Sequence, residues 1–195
     1  REALVRPEGA DGPSGARTGD SGFCRGGVWA CGSTHPPPFS SRAAARSERG
    51  GGPALTLSHE IDLMLWVFGK HNSIKAQANT SSKLELQTEH GIDILIGFES
   101  GVTCSIHLDY FHRPPARSSE FVGEKGRIEF EYYSGITKLY GVEDSEPSEI
   151  FQTPSNFDRN DMFINELKAF FESLQMNKSP SPSFDDGTAV VDVVT

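Results

Sequence analysis

The sequence has few cysteines, no long apolar run and, over its first 52 residues, no lysine at all. Three cysteines, an odd number, do not suit a disulfide scaffold, so a reducing compartment such as the cytoplasm fits better. No run approaches the roughly eighteen apolar residues of a membrane span, and the first ten residues lack the pattern of a secretory signal. The net charge of −9 argues against a nucleic-acid partner, because phosphate binding depends on clustered Lys and Arg. These absences favour a soluble, acidic cytoplasmic protein.

The composition changes sharply near residue 50. The first 52 residues contain seven Arg and five acidic residues, whereas the remaining 143 contain eleven basic and 22 acidic residues. The first stretch is rich in Gly, Ala, Pro and Arg, includes the run Pro36-Pro37-Pro38, and has too few aliphatic side chains to offset chain entropy. We therefore predict that residues 1–49 are disordered and that residues 50–195 form a folded domain, truncated at its apolar end. Because GC-rich codons encode the same four residue types, a mistranslated or mis-assembled stretch is one hypothesis for residues 1–49.

Cys24, Cys31 and His35 carry the thiolate and imidazole groups that zinc prefers. Their spacing is not a familiar zinc pattern, and a structural zinc ion takes four ligands rather than three. We therefore predict no metal site here.

Apolar periodicity predicts one helix, then a series of strands, then two further elements. The first helix covers Leu57 to Phe68, with Thr56 or Ser58 as its cap and Gly69 as its end. The predicted strands are Ile74–Ala78, Leu84–Thr88, Ile92–Phe98, Val102–Tyr110, Glu120–Gly123, Arg127–Tyr132, Ile136–Tyr140 and Glu149–Gln152. A second helix covers Asp158 to Gln175, and residues 183–195 are a helix or a strand. This order predicts an α+β fold, a mostly antiparallel open sheet with helices packed on one face.

Four stretches share a common pattern with a known family. The first stretch is Gly50-Gly51-Gly52 followed by Leu57-Ser58-His59-Glu60-Ile61-Asp62 and Trp66-Val67-Phe68-Gly69. The second is Phe98-Glu99-Ser100-Gly101, which leads to Leu108-Asp109-Tyr110. The third is Val122-Gly123-Glu124-Lys125-Gly126, and the fourth is Asn160-Asp161-Met162-Phe163-Ile164-Asn165-Glu166-Leu167. Together they resemble the C-terminal domain of the Gfo/Idh/MocA (glucose-fructose oxidoreductase/inositol dehydrogenase) family, from Gly50 to Thr195.

The resemblance implies a parent enzyme with NAD or NADP as cofactor and a sugar, cyclitol or nucleotide-sugar as substrate. In that family an N-terminal Rossmann domain binds the dinucleotide, and the C-terminal sheet domain contributes substrate contacts and much of the dimer interface. No Gly-x-Gly-x-x-Gly follows a strand in this sequence. We therefore expect a fragment that does not bind the dinucleotide tightly, is inactive alone, and forms a homo-oligomer through its sheet.

The same resemblance makes His59 the catalytic residue that takes a proton from the substrate hydroxyl. Independently of the family, an imidazole with an ordinary pKa near 6.5 suits a general base, and the positive end of a helix favours its neutral form. Asp62 and Trp66 follow on the same helical face, where a carboxylate can bind a hydroxyl and an indole can stack on a sugar. A His and an Asp on the polar side of a helix are also typical of a solvated pair.

Three further expectations concern residues around this helix. Many family members have an Asp three or four residues before the histidine; here Leu55 and Thr56 stand there, so Thr56 is either a substrate contact or a helix cap. Arg113, like Arg117, has the guanidinium geometry to bind a substrate carboxylate or phosphate, or else belongs to a loop rim. His107 and Asp109 are expected at a solvent or subunit surface, and Cys104 in the core.

Two other interpretations stay open. In the first, the chain is a non-catalytic sheet module for self-association, or for pairing with a separate subunit that carries a Rossmann domain. In the second, a gene model joins a spurious translation to a real exon.

Overall fold

The structure is a computed structural model that describes residues 25–31, 51–80, 87–112 and 114–195, with the backbone alone for 25–31. The elements in chain order are β1 (Arg25–Cys31), α1 (Pro53–Thr56), α2 (His59–Phe68), β2 (His71–Asn79), β3 (Gly91–Phe98), β4 (Thr103–Asp109), β5 (Arg117–Gly123), β6 (Gly126–Glu131), β7 (Ile136–Tyr140), β8 (Glu149–Gln152), α3 (Arg159–Gln175) and α4 (Phe184–Val194).

All eight strands belong to one sheet, in the order β2-β3-β4-β1-β5-β6-β7-β8. The pair β1 and β4 is parallel, and every other neighbouring pair is antiparallel. The sheet does not close, so β2 and β8 are its edges. This arrangement confirms the predicted α+β fold with a mostly antiparallel open sheet.

The interior strand β1 lies in the stretch for which we predicted disorder. Its Val28 is aligned with Ile106 of β4 on one side and with Ser119 of β5 on the other. The prediction was wrong for residues 25–31 because it averaged composition over 49 residues, whereas a strand needs only about five residues and two neighbours to pair with. Residues 1–24 and 32–49 lie outside the described residues, and so do Cys24 and His35 of the rejected zinc pattern.

The hairpin of β3 and β4 supplies most of the core. Alternate residues are buried as predicted, among them Ile94, Ile96, Cys104, Ile106 and Leu108. The helices cover this apolar face: Ile61 and Met64 of α2, together with Val190 and Val193 of α4, join the same buried cluster. The other side of these two strands carries Asp93, Leu95, Ser105 and His107, and we call it the open face. Helices α2 and α4 therefore pack on one face of the sheet, as expected.

Local signals set several element ends. The predicted first helix corresponds to α2, which begins at His59, two residues later than predicted, and the short helix α1 precedes it. Ser58 occupies the cap position of α2 without a side-chain hydrogen bond. Gly69 ends α2 with a φ of 82°, a conformation that favours glycine. Asp158 caps α3 by accepting a hydrogen bond from the Asn160 amide.

Residues 183–195 form a helix rather than a strand. Ser183 and Asp186 form a reciprocal capping box at the start of α4, which satisfies amide groups that a strand would leave to a neighbour. By contrast, the strand predicted at Leu84–Thr88 is not formed by its described residues, because Gln87 and Thr88 lie in a bend. Residues 84–86 lie outside the described part.

Helix α3 has a broad apolar stripe that the described residues leave in contact with solvent. None of its residues is buried. Its exposed apolar side chains are Phe163, Ile164, Leu167, Phe170, Phe171 and Leu174. In the described part of the chain, no helix has the length and apolar character needed to cross a membrane.

We expect the core of the β3–β4 hairpin to dominate stability. Ile106→Ala removes a side chain that is 1% exposed and should lower the free energy of unfolding by about 2–5 kcal/mol in urea denaturation. Leu95→Ala is the matched control on the opposite face of the same hairpin, where the side chain is 46% exposed, and should cost at most about 1 kcal/mol. Equal losses in the two variants would contradict the assignment of the faces.

Candidate functional site

The segment of α1 and α2 carries four of the five site residues proposed from the sequence. His59 is the first residue of α2, and Asp62 and Trp66 follow three and seven positions later. This spacing places the three side chains along one face of the helix, and all three are half-buried. His59 therefore stands at the positive end of α2. Arg113, the fifth proposed residue, lies outside the described residues.

A buried ion pair anchors the first turn of α2 to the sheet. Glu60 is 3% exposed, and its Oε1 lies 2.5 Å from Nε of Arg117 at the start of β5. The Arg117 guanidinium also lies over the ring of Tyr132, 4.3 Å from its centroid. Because removal of one partner leaves the other charge buried, such a pair resists displacement. The orientation of α2, and thus of His59, depends on this contact.

Sequence reasoning missed this role of Glu60, which it named only as part of the motif that follows the glycine run. The available signal was its position between Leu57, Ile61 and Met64, on the stripe that faces the core. A carboxylate there needs a buried partner. The structure gives Arg117 this role, so its guanidinium binds a protein carboxylate and a protein ring rather than standing at a loop rim.

Thr56, proposed as a substrate contact or cap, ends α1 and makes two hydrogen bonds through its hydroxyl. Its Oγ1 donates to the carbonyl of Gly52 at 2.7 Å. The same oxygen lies 2.5 Å from Oη of Tyr110, and since Thr56 has a single hydroxyl proton, Tyr110 is the donor there. Burial raises the pKa of the Tyr110 hydroxyl, which keeps it protonated as this donor. Thr56 therefore ties α1 to the end of β4.

Gly52, in the glycine run before α1, stands where a larger residue would not fit. Its φ is 106°, which L side chains rarely adopt, and an added Cβ would collide with the carboxylate of Glu89. The run lets the chain pass close to the β2–β3 connection before it enters α1.

The open face carries a second polar cluster, formed by Asp93, His107 and Asp109. Nδ1 of His107 lies 2.6 Å from Oδ1 of Asp93, and Nε2 lies 3.0 Å from Oδ2 of Asp109. Ionised carboxylates only accept hydrogen bonds, so the ring donates to both of them when it is protonated, as an imidazolium. Although burial lowers the pKa of His107, the hydrogen bonds and charges of the two carboxylates outweigh it, and the pKa is raised.

Asp109 is more buried than the sequence suggested for a residue at a solvent or subunit surface. It is 6% exposed, and its Oδ1 accepts the backbone N–H groups of Phe111 and His112. Burial raises the pKa of this carboxyl, but those two N–H groups and His107 outweigh the effect, so the pKa is lowered. Cys104 lies in the core as predicted, and burial raises the pKa of its thiol to about 12.

A shallow cavity of about 330 Å³ lies beside this cluster. Lys75, Gln77, Asp93, Leu95 and His107 are among its lining residues. It lies on the opposite side of the sheet from α2, so the structure does not bring it together with His59.

A family model for the GFO/IDH/MocA C-terminal domain matches residues 18–129. This match is longer than half of the chain, and its range contains β1. No curated protein sequence matches the chain.

Several solved structures share the fold. Levoglucosan dehydrogenase in complex with NADH and levoglucosan has a TM-score of 0.71 and 20% identity, over 88% of this chain and 56% of that one. The UDP-N-acetylglucosamine 3-dehydrogenase GnnA from Acidithiobacillus ferrooxidans has a TM-score of 0.67 and 11% identity, over 87% and 50% of the two chains. An oxidoreductase domain protein from Kribbella flavida has a TM-score of 0.69 and 15% identity, over 87% and 55%.

The chain thus spans about half the length of these structures. The match over residues 18–129, on a fold that these dehydrogenases share, shows that the chain belongs to the GFO/IDH/MocA family through its C-terminal domain.

Proposed function

We propose that this chain is the substrate-side domain of an NAD(P)-dependent oxidoreductase that acts on a hydroxyl of a sugar, a cyclitol or a nucleotide-sugar. The observation that carries the proposal is the position of His59 at the first turn of α2, with Asp62 and Trp66 on the same face. The neighbours support the substrate class, since one is a complex with levoglucosan and another with L-sorbose.

In this proposal the chain binds the sugar and holds its proton. The His59 imidazole accepts the hydroxyl proton, and the Glu60–Arg117 pair keeps the first turn of α2 in place while it does so. Asp62 accepts a hydrogen bond from a second hydroxyl, and Trp66 stacks on the apolar face of the sugar ring. A bound nicotinamide would supply hydride transfer.

The described residues do not fit the dinucleotide itself. They contain no Gly-rich turn that joins a strand to a helix and offers that helix's N-terminus to a pyrophosphate. We therefore propose that a further domain or subunit holds NAD or NADP. The apolar stripe of α3 supports such a partner, because most helical stability in proteins comes from packing an apolar face, and none of the residues of α3 is buried.

The second candidate function is a module for association. The open face favours it, because Leu95 is 46% exposed there beside the shallow cavity. We propose that a second copy of the chain binds this face, so that the sheet forms a homo-oligomer. The cytoplasm is the compartment we propose, because the thiol of Cys104 is free and buried.

The substrate proposal predicts weak saccharide binding at α2. Titration with levoglucosan, L-sorbose or UDP-N-acetylglucosamine should shift amide NMR signals of residues 56–66, and Asp62→Asn should weaken the binding roughly 10-fold. The matched control is Asp161→Asn, which changes the exposed Asp in the first turn of α3 and should leave the affinity unchanged. Shifts confined to other residues would exclude the α2 site.

The dinucleotide proposal predicts that the chain by itself does not bind NADH in the micromolar range. Calorimetric titration of the purified chain with NADH measures this directly. Micromolar affinity would refute the claim that a further domain is needed.

The association proposal predicts a dimer that depends on the open face. Leu95→Asp places a charge at that contact and should give a monomer in size-exclusion chromatography with light scattering. Leu167→Asp on α3, 58% exposed, is the control and should leave the wild-type mass unchanged. A monomer in the α3 variant alone would assign the contact to α3 instead.

A further inference from the structure

The cluster on the open face joins two neighbouring strands through a single imidazolium. Asp93 belongs to β3, and His107 and Asp109 belong to β4, with Asp93 directly opposite His107 in the register. The two carboxylates differ in their access to water, since the side chain of Asp93 is 57% exposed and that of Asp109 is 8% exposed. They therefore respond differently when the imidazolium loses its proton.

We propose that His107 is a pH switch for the open face: when it loses its proton, Asp93 is released to solvent and the cluster changes from one net negative charge to two. A neutral imidazole has one N–H group and can donate to one carboxylate only. Buried Asp109 keeps that bond, because an exposed carboxylate replaces a lost partner with water at little cost while a buried one does not. Asp93 then faces a ring nitrogen that carries a lone pair, and it turns away.

The surroundings determine how the released carboxylate behaves. On β2, Asn79 donates a hydrogen bond to Oδ2 of Asp93 at 3.3 Å, and Lys75 lines the same cavity. On the side of β1, Trp29 is aligned with His107 and Cys31 with Asp109. Glu120 of β5 is aligned with Gly27, which is itself aligned with Ser105 of the open face. Lys75 is thus the basic side chain at the cavity. When His107 loses its proton, the second negative charge of the cluster adds to an open face that already carries acidic groups.

The direction of the pH effect follows from the raised pKa of His107. The cluster stabilises the folded chain fully below the ordinary histidine pKa of 6.5, and this stabilisation is lost as the pH rises through the higher folded value. The switch therefore operates above pH 6.5. Its effect on self-association rests on the proposed function, because only a second copy on the open face would experience the added charge.

The local switch is tested by NMR titration of the full chain. The signals of the His107 ring and of the Asp93 carboxyl carbon should change together as His107 loses its proton, at a midpoint above 6.5, and Asp93→Asn should lower that midpoint. His71→Gln, which changes a histidine of β2, should leave both responses unchanged. An Asp93 signal that does not follow His107 overturns the proposal.

A second measurement addresses the consequence for association. In sedimentation experiments the dimer dissociation constant should rise roughly 10-fold across the His107 midpoint, and His107→Gln should abolish this pH dependence. A dimer whose affinity is the same on both sides of the midpoint refutes the link to association. A chain that is monomeric at every pH refutes self-association itself, and the NMR titration still decides the switch.

Discussion

The packing of α2 on the apolar side of β3 and β4 determines which way the site residues of this helix face. Ile61 and Met64 are fully buried in a cluster with Ile96, Cys104 and Ile106. Since these side chains fill one face of the helix, the face with His59, Asp62 and Trp66 is turned away from them. The shared direction of these three side chains is thus a consequence of core packing.

Packing alone does not fix the rotation of a short helix about its axis or its position along the sheet. Two polar contacts do this for the α1–α2 segment, the Thr56–Tyr110 hydrogen bond at the end of β4 and the Glu60–Arg117 ion pair at the start of β5. Both sheet partners flank the connection that runs from β4 to β5. This geometry makes the β4–β5 connection part of the support of the site, although its residues are distant from α2 in the sequence.

The charged groups on the two sides of the sheet differ in their burial. On the helix side, the ion pair is enclosed and holds one arrangement. On the open face, an imidazolium stands between a buried and an exposed carboxylate, so the loss of one proton can change the arrangement without disturbing the core. The described residues thus expose both a broad apolar stripe on α3 and a polar face of the sheet.

The sequence by itself determined the features that depend on neighbours along the chain. The alternation in β3 and β4 predicted which side is buried, and the limits of β7, β8 and α3 followed from local apolar patterns and the Asp158 cap. The face that His59, Asp62 and Trp66 share was predictable for the same reason, since helical spacing needs no tertiary contact. The family resemblance then supplied the chemistry that spacing cannot.

Tertiary structure decided what depends on residues far apart in the sequence. β1 is a strand because β4 and β5 both offer hydrogen-bonding edges to it, and a composition average over residues 1–49 contains no information about those edges. The partners Arg117 of Glu60 and Tyr110 of Thr56 likewise come from parts of the chain far from α1 and α2, so these contacts could not be inferred from local pattern. The physical reason is the same in each case: pairing and desolvation are set by which surfaces meet, and a linear pattern does not specify that.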